Sequence, residues 1–396
     1  MKTADRRQAK GQSRKNFSCR RVVLLACNKT LFLLAAVCLA LPLRIGAAPA
    51  ASSWEDLLEA ANRESQVVIY GSGYYGEVFQ EFQRRFSKIR VQYESGGGAS
   101  QFAVRLMNER RAGKYLWDLY LGGIVTPYKV FYDSRILEPI KPALLLPEVL
   151  DESKWWEGKH HYADPEGNYI FVFQGDVHGG ENAYNVKLVD PQEFKSYRDF
   201  LAQKWKGKVV AYDPKSVSTV AHSLRFFYNS PELGPDFIRR FFGEMELTLS
   251  RDQRQMLDWL AAGKFPIAFF ISGVEEAGKQ QGLPVKMFDP NRFSEGAFVG
   301  PTQGSAALFN RAPHPNAAKV ALNWLLSREG QIAYQTVYAK RSEANESMRE
   351  DIPKDLLPPS SRRVKGGKYT YSGRPEWVDM GPVNEVVNEA LQKRKR

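Results

Sequence analysis

Apolar residues recur at helical spacing in some stretches of this chain and as short dense runs in others, and their order outlines two α/β units. Leu57, Leu58 and Ala61 share one face of a helix predicted over 54–65, with Ser53 as its cap. Val67-Val68-Ile69-Tyr70 reads as a buried strand, Val78, Phe79, Phe82 and Phe86 as one face of a helix over 77–86, and 89–94 as a second strand. A helix over 101–112 and a strand over 117–121 follow. This βαβαβ order predicts a parallel sheet with helices on its faces. It places the intervening loops at the carboxyl edge, where open α/β sheets hold ligands. Beyond Asn168 the pattern restarts, with strands over 170–173, 208–212 and 265–271 and helices over 197–205, 216–228, 237–242 and 251–262. Residues 296–308 lead back to the most regular stripe in the chain, Ala317, Val320, Ala321, Trp324 and Leu325, on a helix opened by Pro315 and Asn316 and stopped at Gly330. After Pro353 the composition predicts an extended tail, helical only over 383–391.

Charge changes the picture at the N-terminus alone. Of the net +12, the first 50 residues carry +9, ten Lys or Arg against Asp5, which leaves +3 for the rest. A nucleic-acid partner is therefore not expected. A basic stretch, the apolar run Leu31 to Leu43 and Ala48-Pro49-Ala50 are the three parts of a secretory signal peptide, so residues 1–50 are expected to be removed and the remainder to be periplasmic. The apolar run is shorter than the roughly 20 residues of a spanning helix. Arg20-Arg21 leaves the twin-arginine export route open beside the general one. Cys19, Cys27 and Cys38 all lie in this leader, so the mature chain offers neither a disulfide nor a thiolate metal site.

Candidate chemistry sits in the loops. Gly71-Ser72-Gly73-Tyr74-Tyr75-Gly76 is a literal G-x-G-x-x-G between a strand and a helix, with Glu94 about where a ribose-binding acid would stand. Two readings are open at this point: a dinucleotide cradle in an exported NAD(P)-dependent oxidoreductase, or a loop whose Ser72, Gly73 and Tyr74, with the free N–H groups of the following helix, face a small and preferably anionic ligand. Gly97, Gly98 and Ser100 repeat the device, Gly122 and Gly123 end the third strand, and Ser216, Ser218 and Thr219 offer hydroxyls from the second unit. Phe270 and Ser272 complete the candidate ligand-binding set, and His222 stands where it faces either the cleft or the packing. His160, His161 and His178 lack a recognised metal-ligand spacing, so no metal site is assigned. No serine elbow, cysteine nucleophile or paired-carboxylate signature stands out. Neither a catalytic residue nor a cofactor is expected.

The phrase His314-Pro315-Asn316-Ala317-Ala318-Lys319, closing on Leu325-Leu326-Ser327-Arg328-Glu329-Gly330-Gln331, resembles the helix in the returning part of ferric-type periplasmic solute-binding proteins, which feed ABC importers. Glu109 to Gly113 before Asp118 to Gly123, then Asp213-Pro214, then Gly263 to Ile271 match in the same order and spacing. The resemblance implies an α/β chain of the two-lobed type 2 periplasmic binding fold, each lobe a mixed sheet flanked by helices, with a ligand cleft between them. It divides the chain into lobe 1 over 51–168, lobe 2 over 169–284, a return to lobe 1 over 285–340 and a C-terminal segment over 341–396. It further implies a binding protein rather than an enzyme, monomeric, with a small-molecule ligand and a membrane permease as partners. Ferric binders of this kind hold the metal with two adjacent tyrosines on the second lobe, whereas Phe269 and Phe270 stand here. A phenyl ring offers no oxygen to a hard trivalent ion, so iron through that pair is not expected. Iron held by non-standard ligands remains an alternative.

Overall fold

The computed structural model describes residues 53–216, 219–340, 346–357 and 362–394. The expected signal segment and Ser218 lie outside them. Among the described residues no helix is long and apolar enough to cross a membrane.

The chain begins with α1 (Trp54–Glu64), β1 (Gln66–Gly71), α2 (Tyr75–Arg85), β2 (Arg90–Glu94), α3 (Gly98–Arg111) and β3 (Leu119–Gly122), the predicted alternation. Shorter pieces follow: β4 (Leu137–Glu138), α4 (Pro147–Leu150), β5 (His161–Tyr162), β6 (Phe171–Val172) and β7 (Asp176–His178). Next come β8 (Asn182–Asn185), β9 (Val209–Tyr212), α5 (Thr219–Asn229), α6 (Gly234–Glu244), β10 (Thr248–Ser250), α7 (Gln253–Ala261), β11 (Ile267–Phe269), α8 (Val274–Gln281) and β12 (Val285–Met287). The chain closes with β13 (Ala297–Gly300), β14 (Ser305–Phe309), α9 (Pro315–Leu326), α10 (Arg328–Ala339), β15 (Tyr369–Tyr371) and α11 (Gly381–Lys393).

Three sheets organise these elements. The first runs β2-β1-β3-β14-β6-β5, with β4 also on β14; β1 is parallel to β2 and β3, and β14 returns antiparallel. The second runs β10-β9-β11-β8-β12, and in it β8 is antiparallel to both neighbours. The third is β15-β13-β7, in which the outgoing β7 and the returning β13 lie antiparallel where the chain passes between the lobes. Each lobe has its own core. Aliphatic side chains mixed with phenylalanines, tyrosines and tryptophans fill the first, while the second is packed with phenylalanines from α5, α6, β11 and the 288–298 stretch.

The N-terminus of α9 shows why the most regular stripe is also the best held. Asp118, fully buried, accepts from Val68 N at 2.7 Å, His314 N at 2.8 Å and His314 Nδ1 at 2.9 Å. Glu64 accepts from Asn316 N at 3.2 Å and Ala317 N at 2.7 Å. Two carboxylates thus satisfy the first amides of the helix, where its dipole favours negative charge. The predicted face is buried, and so are Ala318, Leu322, Asn323 and Leu326. Asn323 does polar work there, its Oδ1 accepting from Leu145 N at 2.7 Å and its Nδ2 donating to Ala143 O at 2.6 Å.

Four expectations are corrected. Gly330 does not stop the helix: α9 ends at Ser327, whose hydroxyl accepts from Gly330 N at 3.2 Å and caps α10. Gly330 sits so close to the preceding turn that a Cβ would fall 2.0 Å from Trp324 O. The stretch 170–173, expected in the second lobe, supplies β6 to the first sheet, beside β14 and β5. The helix expected over 197–205 is two 3-10 turns, Tyr197–Leu201 and Gln203–Trp205. The C-terminal segment is not an extended tail either, since β15 joins the crossing strands and α11 lays Val383, Val386, Val387 and Ala390 into the second core beside α6. Proline and lysine content set the expectation of a tail; pairing and packing with distant residues overrode it.

Candidate ligand-binding cleft

A cavity of about 370 Å³ opens at the carboxyl edge of the first sheet and is closed from the other side by α5 and the C-terminal segment. The loops after β1 and β3 supply Ser72, Gly73 and the run Gly123 to Thr126; α5 supplies His222 and Arg225; the return between β13 and β14 supplies Pro301, Thr302 and Gln303; and Ser372 and Trp377 come from beyond β15. No carboxylate stands among the described lining residues.

Of the expected site residues, Ser72, Gly73 and Gly123 reach this wall. Ser72 Oγ is buried without a hydrogen-bond partner among the described residues, and such an atom in a cavity wall marks a place where a ligand oxygen or a water can be received. Gly73 has φ +77°, and a Cβ there would fall 2.2 Å from Gln303 Oε1 and 2.5 Å from Tyr338 Oη. The glycine lets two side chains of this protein approach, which leaves no backbone space for a pyrophosphate. Tyr75 is buried against Tyr334 and donates to Gln303 O at 2.7 Å, and Glu94 is ion-paired with Arg105 at 2.6 Å. The features that suggested a dinucleotide cradle are therefore taken up by packing.

Other expected residues stand back from the wall. Tyr74 packs its ring against Tyr338 at 5.5 Å. A Cβ on Gly122 would meet Tyr120 Oη at 2.7 Å and Ser72 Oγ at 2.8 Å, so this glycine lies just behind the wall. Gly97 and Gly98, both exposed, take positive φ at the start of α3. Because α3 begins three residues earlier than expected, Ala99 meets the cavity and Ser100 is exposed in the first turn. Ser216 closes a turn on Asp213 O at 2.9 Å, and Thr219 is the first residue of α5. Phe270 and Ser272 are corrected outright. At φ +60° the Phe270 backbone turns its ring into the second core, fully buried beside Phe241 and Phe242, and Ser272 is exposed beyond it with its N–H on Gln253 Oε1 at 3.2 Å.

Sequence reasoning missed Arg225. Its guanidinium is half-buried, and its Nε donates to Met380 Sδ at 3.1 Å. Among the described residues no carboxylate lies within ion-pair distance of it, and burial draws its pKa down from the ordinary value. The available signal was its place one turn after His222 on a helix whose Leu224, Phe226 and Phe227 are buried. His222 is open to the cleft at its surface yet walled by protein. Confinement by the surrounding protein, then the charges of His178 and Arg225, hold its pKa below the usual value. A neutral His222 leaves Arg225 as the fixed cation of the site.

Behind the wall lies a buried polar cluster on the crossing strands. Asp176 accepts from Thr302 Oγ1 at 3.1 Å, from Gln174 Nε2 and from Glu346 N at 2.7 Å, and Gln174 Oε1 accepts from Gln303 N at 2.9 Å. Desolvation dominates and pushes the Asp176 pKa up to about 7, against the nearby His178 charge and the hydrogen bonds. His178 is raised too, since its Glu181 contact and the charges of Glu181 and Asp176 outweigh burial. An acid whose folded pKa exceeds its unfolded value contributes stability below the unfolded pKa, and that contribution is lost as pH rises through the folded one. Stability should thus fall by about 1–2 kcal/mol from pH 4 to pH 8, well short of the full shift because the neighbours reorganise. Urea denaturation of the wild type and Asp176→Asn at both pH values checks this. The variant should flatten the difference, and an unchanged difference would mean that another group titrates.

No protein-family model and no curated protein matches the sequence. Solved structures do match the fold. Iron-bound HitA from Pseudomonas aeruginosa shares 18% identity at a TM-score of 0.54, over 82% of this chain and 99% of that one. The periplasmic binding protein AfuA from Actinobacillus pleuropneumoniae, with exogenous fructose-6-phosphate bound, shares 16% at 0.52, over 83% and 98%. The spermidine/putrescine ABC transporter substrate-binding protein PotD from Streptococcus pneumoniae shares 16% at 0.53, over 83% and 99%. With two lobes, paired crossing strands and this coverage, the chain has the type 2 periplasmic binding protein fold.

Proposed function

We propose that this protein is the solute-capturing component of an ABC importer, periplasmic and monomeric, and that it holds a small anion in the cleft for delivery to a membrane permease. The fold supports the transport role but does not select the charge of the ligand, because the neighbours named above are tied to iron, a sugar phosphate and polyamines. The observation that carries the anionic reading is Arg225, a half-buried cation in a wall without a carboxylate. A buried charge is costly unless compensated, and an anionic ligand supplies the missing partner. Ser72 and Thr126 add neutral donors, and α2 and α3 present N-termini without side-chain caps near the cavity. Lobe closure on the ligand would be a hinge motion about the crossing strands.

A thermal-shift panel tests the reading. Sugar phosphates, phosphonates and carboxylates should stabilise the protein, by about 2.7 kcal/mol when present at a hundred times the dissociation constant. Spermidine should not. Ferric citrate should give no visible phenolate-to-iron absorption, since Phe269 and Phe270 are core residues and the Tyr75 hydroxyl is engaged with Gln303. Stabilisation by polyamine, or a visible band with ferric salt, would overturn the anionic assignment while leaving the transport role in place.

A further inference from the structure

The strap Tyr369 to Met380 crosses between the lobes beside the cleft. Tyr369 and Tyr371 pair with Ala297 and Val299 of the returning strand, and Ser372 N donates to Val299 O at 2.9 Å. Tyr371 Oη donates to Tyr162 O of the first lobe at 3.2 Å, while Tyr369 Oη donates to Asn291 Oδ1 of the second at 2.6 Å. Ser372 and Trp377 then stand in the cavity wall, Trp377 beside Phe298 at 6.3 Å. At the end of the strap, Met380 takes the Arg225 Nε hydrogen bond.

We propose that the strap is part of the anion site, with Ser372 and Trp377 forming one wall and Met380 acting as a positioning residue for Arg225. This rests on the reading of Arg225 as the anion contact. A guanidinium carries five N–H donors in a rigid fork. Met380 occupies the Nε donor, and the two Nη groups have no partner among the described residues. A thioether is a weak, uncharged acceptor. It therefore orients the fork without cancelling its charge, as a carboxylate in the same place would. The Nη pair is left for the parallel, bidentate grip that guanidinium makes on a phosphate or carboxylate. Because the strap reaches the site from the far end of the chain, part of the ligand specificity is encoded there.

The test uses the full chain and inorganic phosphate. Phenylglyoxal modifies accessible guanidinium groups, and mass spectrometry of the peptide containing Arg225 reads that one site. Phosphate should protect Arg225 in the wild type. Met380→Ala should raise the half-protecting phosphate concentration about tenfold, as a loss of roughly 1.4 kcal/mol does. Its thermal midpoint without phosphate should stay close to wild type. Met380→Leu keeps the packing but removes the sulfur acceptor, so it should lose about as much as Met380→Ala, whereas a return to wild-type protection would reduce Met380 to packing alone. Ser372→Ala removes the Oγ bond to Val299 O at 3.2 Å that ties the strap to the returning strand and gives a second reading, with an expected loss of about threefold. Equal protection of wild type, Met380→Ala and Ser372→Ala would overturn the role of the strap and leave the anion reading intact. Absence of protection in the wild type itself would overturn the anion reading, and with it this proposal.

Discussion

Arg225→Gln will lose about two decades or more of affinity for the organic anion that stabilises the wild type best. Truncating one partner of a buried, hydrogen-bonded charge pair costs about 2–5 kcal/mol, and each 1.4 kcal/mol is about tenfold. Gln keeps length and some hydrogen bonding but removes the charge and the fork. Arg225→Lys separates those two contributions: the charge remains while the bidentate geometry goes, so an intermediate loss of about one decade is expected. The fold should tolerate both changes, because among the described residues the Arg225 side chain makes no ion pair and its hydrogen bond is to a thioether. Calorimetric titration, with the thermal midpoint of each free variant as a control, reads the result. Affinity within twofold of wild type in Arg225→Gln would remove the anion from the site.

The largest effect on stability is expected at Asp118, just before β3 and outside the cavity lining. This carboxylate is fully buried and takes three donors, Val68 N from β1 and both His314 N and His314 Nδ1 from the entrance to α9. Asp118→Ala leaves those donors facing apolar surroundings and also opens a small void. Each orphaned buried donor costs about 1–3 kcal/mol, so a total of about 4 kcal/mol is expected after partial relaxation. That is a large share of a stability of about 5–15 kcal/mol. Asp118→Asn discriminates the cause, since it preserves the volume but turns an N–H₂ towards a donor, and should still lose about 2 kcal/mol. Urea unfolding followed by tryptophan fluorescence suits the test because Trp324 is packed on α9. A midpoint unchanged in Asp118→Ala would mean that Glu64 alone holds the helix.

The elements that positioned the cleft were legible where periodicity is strong. Leu57 and Ala61, Val78 to Phe82, Val67 to Tyr70 and the α9 stripe all fall on the elements expected of them, because a side chain that must be dry imposes a 3.6-residue or two-residue repeat on its own neighbourhood. The loop after β1 was legible too, since a glycine at positive φ between a strand and a helix is a local requirement and Gly73 meets it.

By itself, then, the sequence determined the order of strands and helices from α1 to β3, the parallel start of the first sheet, the helix-bounded loops at its edge and, through matching phrases, the two-lobed class. Only the tertiary structure decided which sheet each short strand joins, as with β6 and β15, because a run of two or three apolar residues carries no label for its partner. It alone decided that Phe270 faces inward and Arg225 towards the cleft, since both lie among phenylalanines and the chain pattern is the same either way. The C-terminal segment shows the limit most clearly: Ser372 and Trp377 reach a wall that also holds Ser72, about 300 positions earlier, Met380 bonds Arg225 behind it, and local physical chemistry has no reach over such separations.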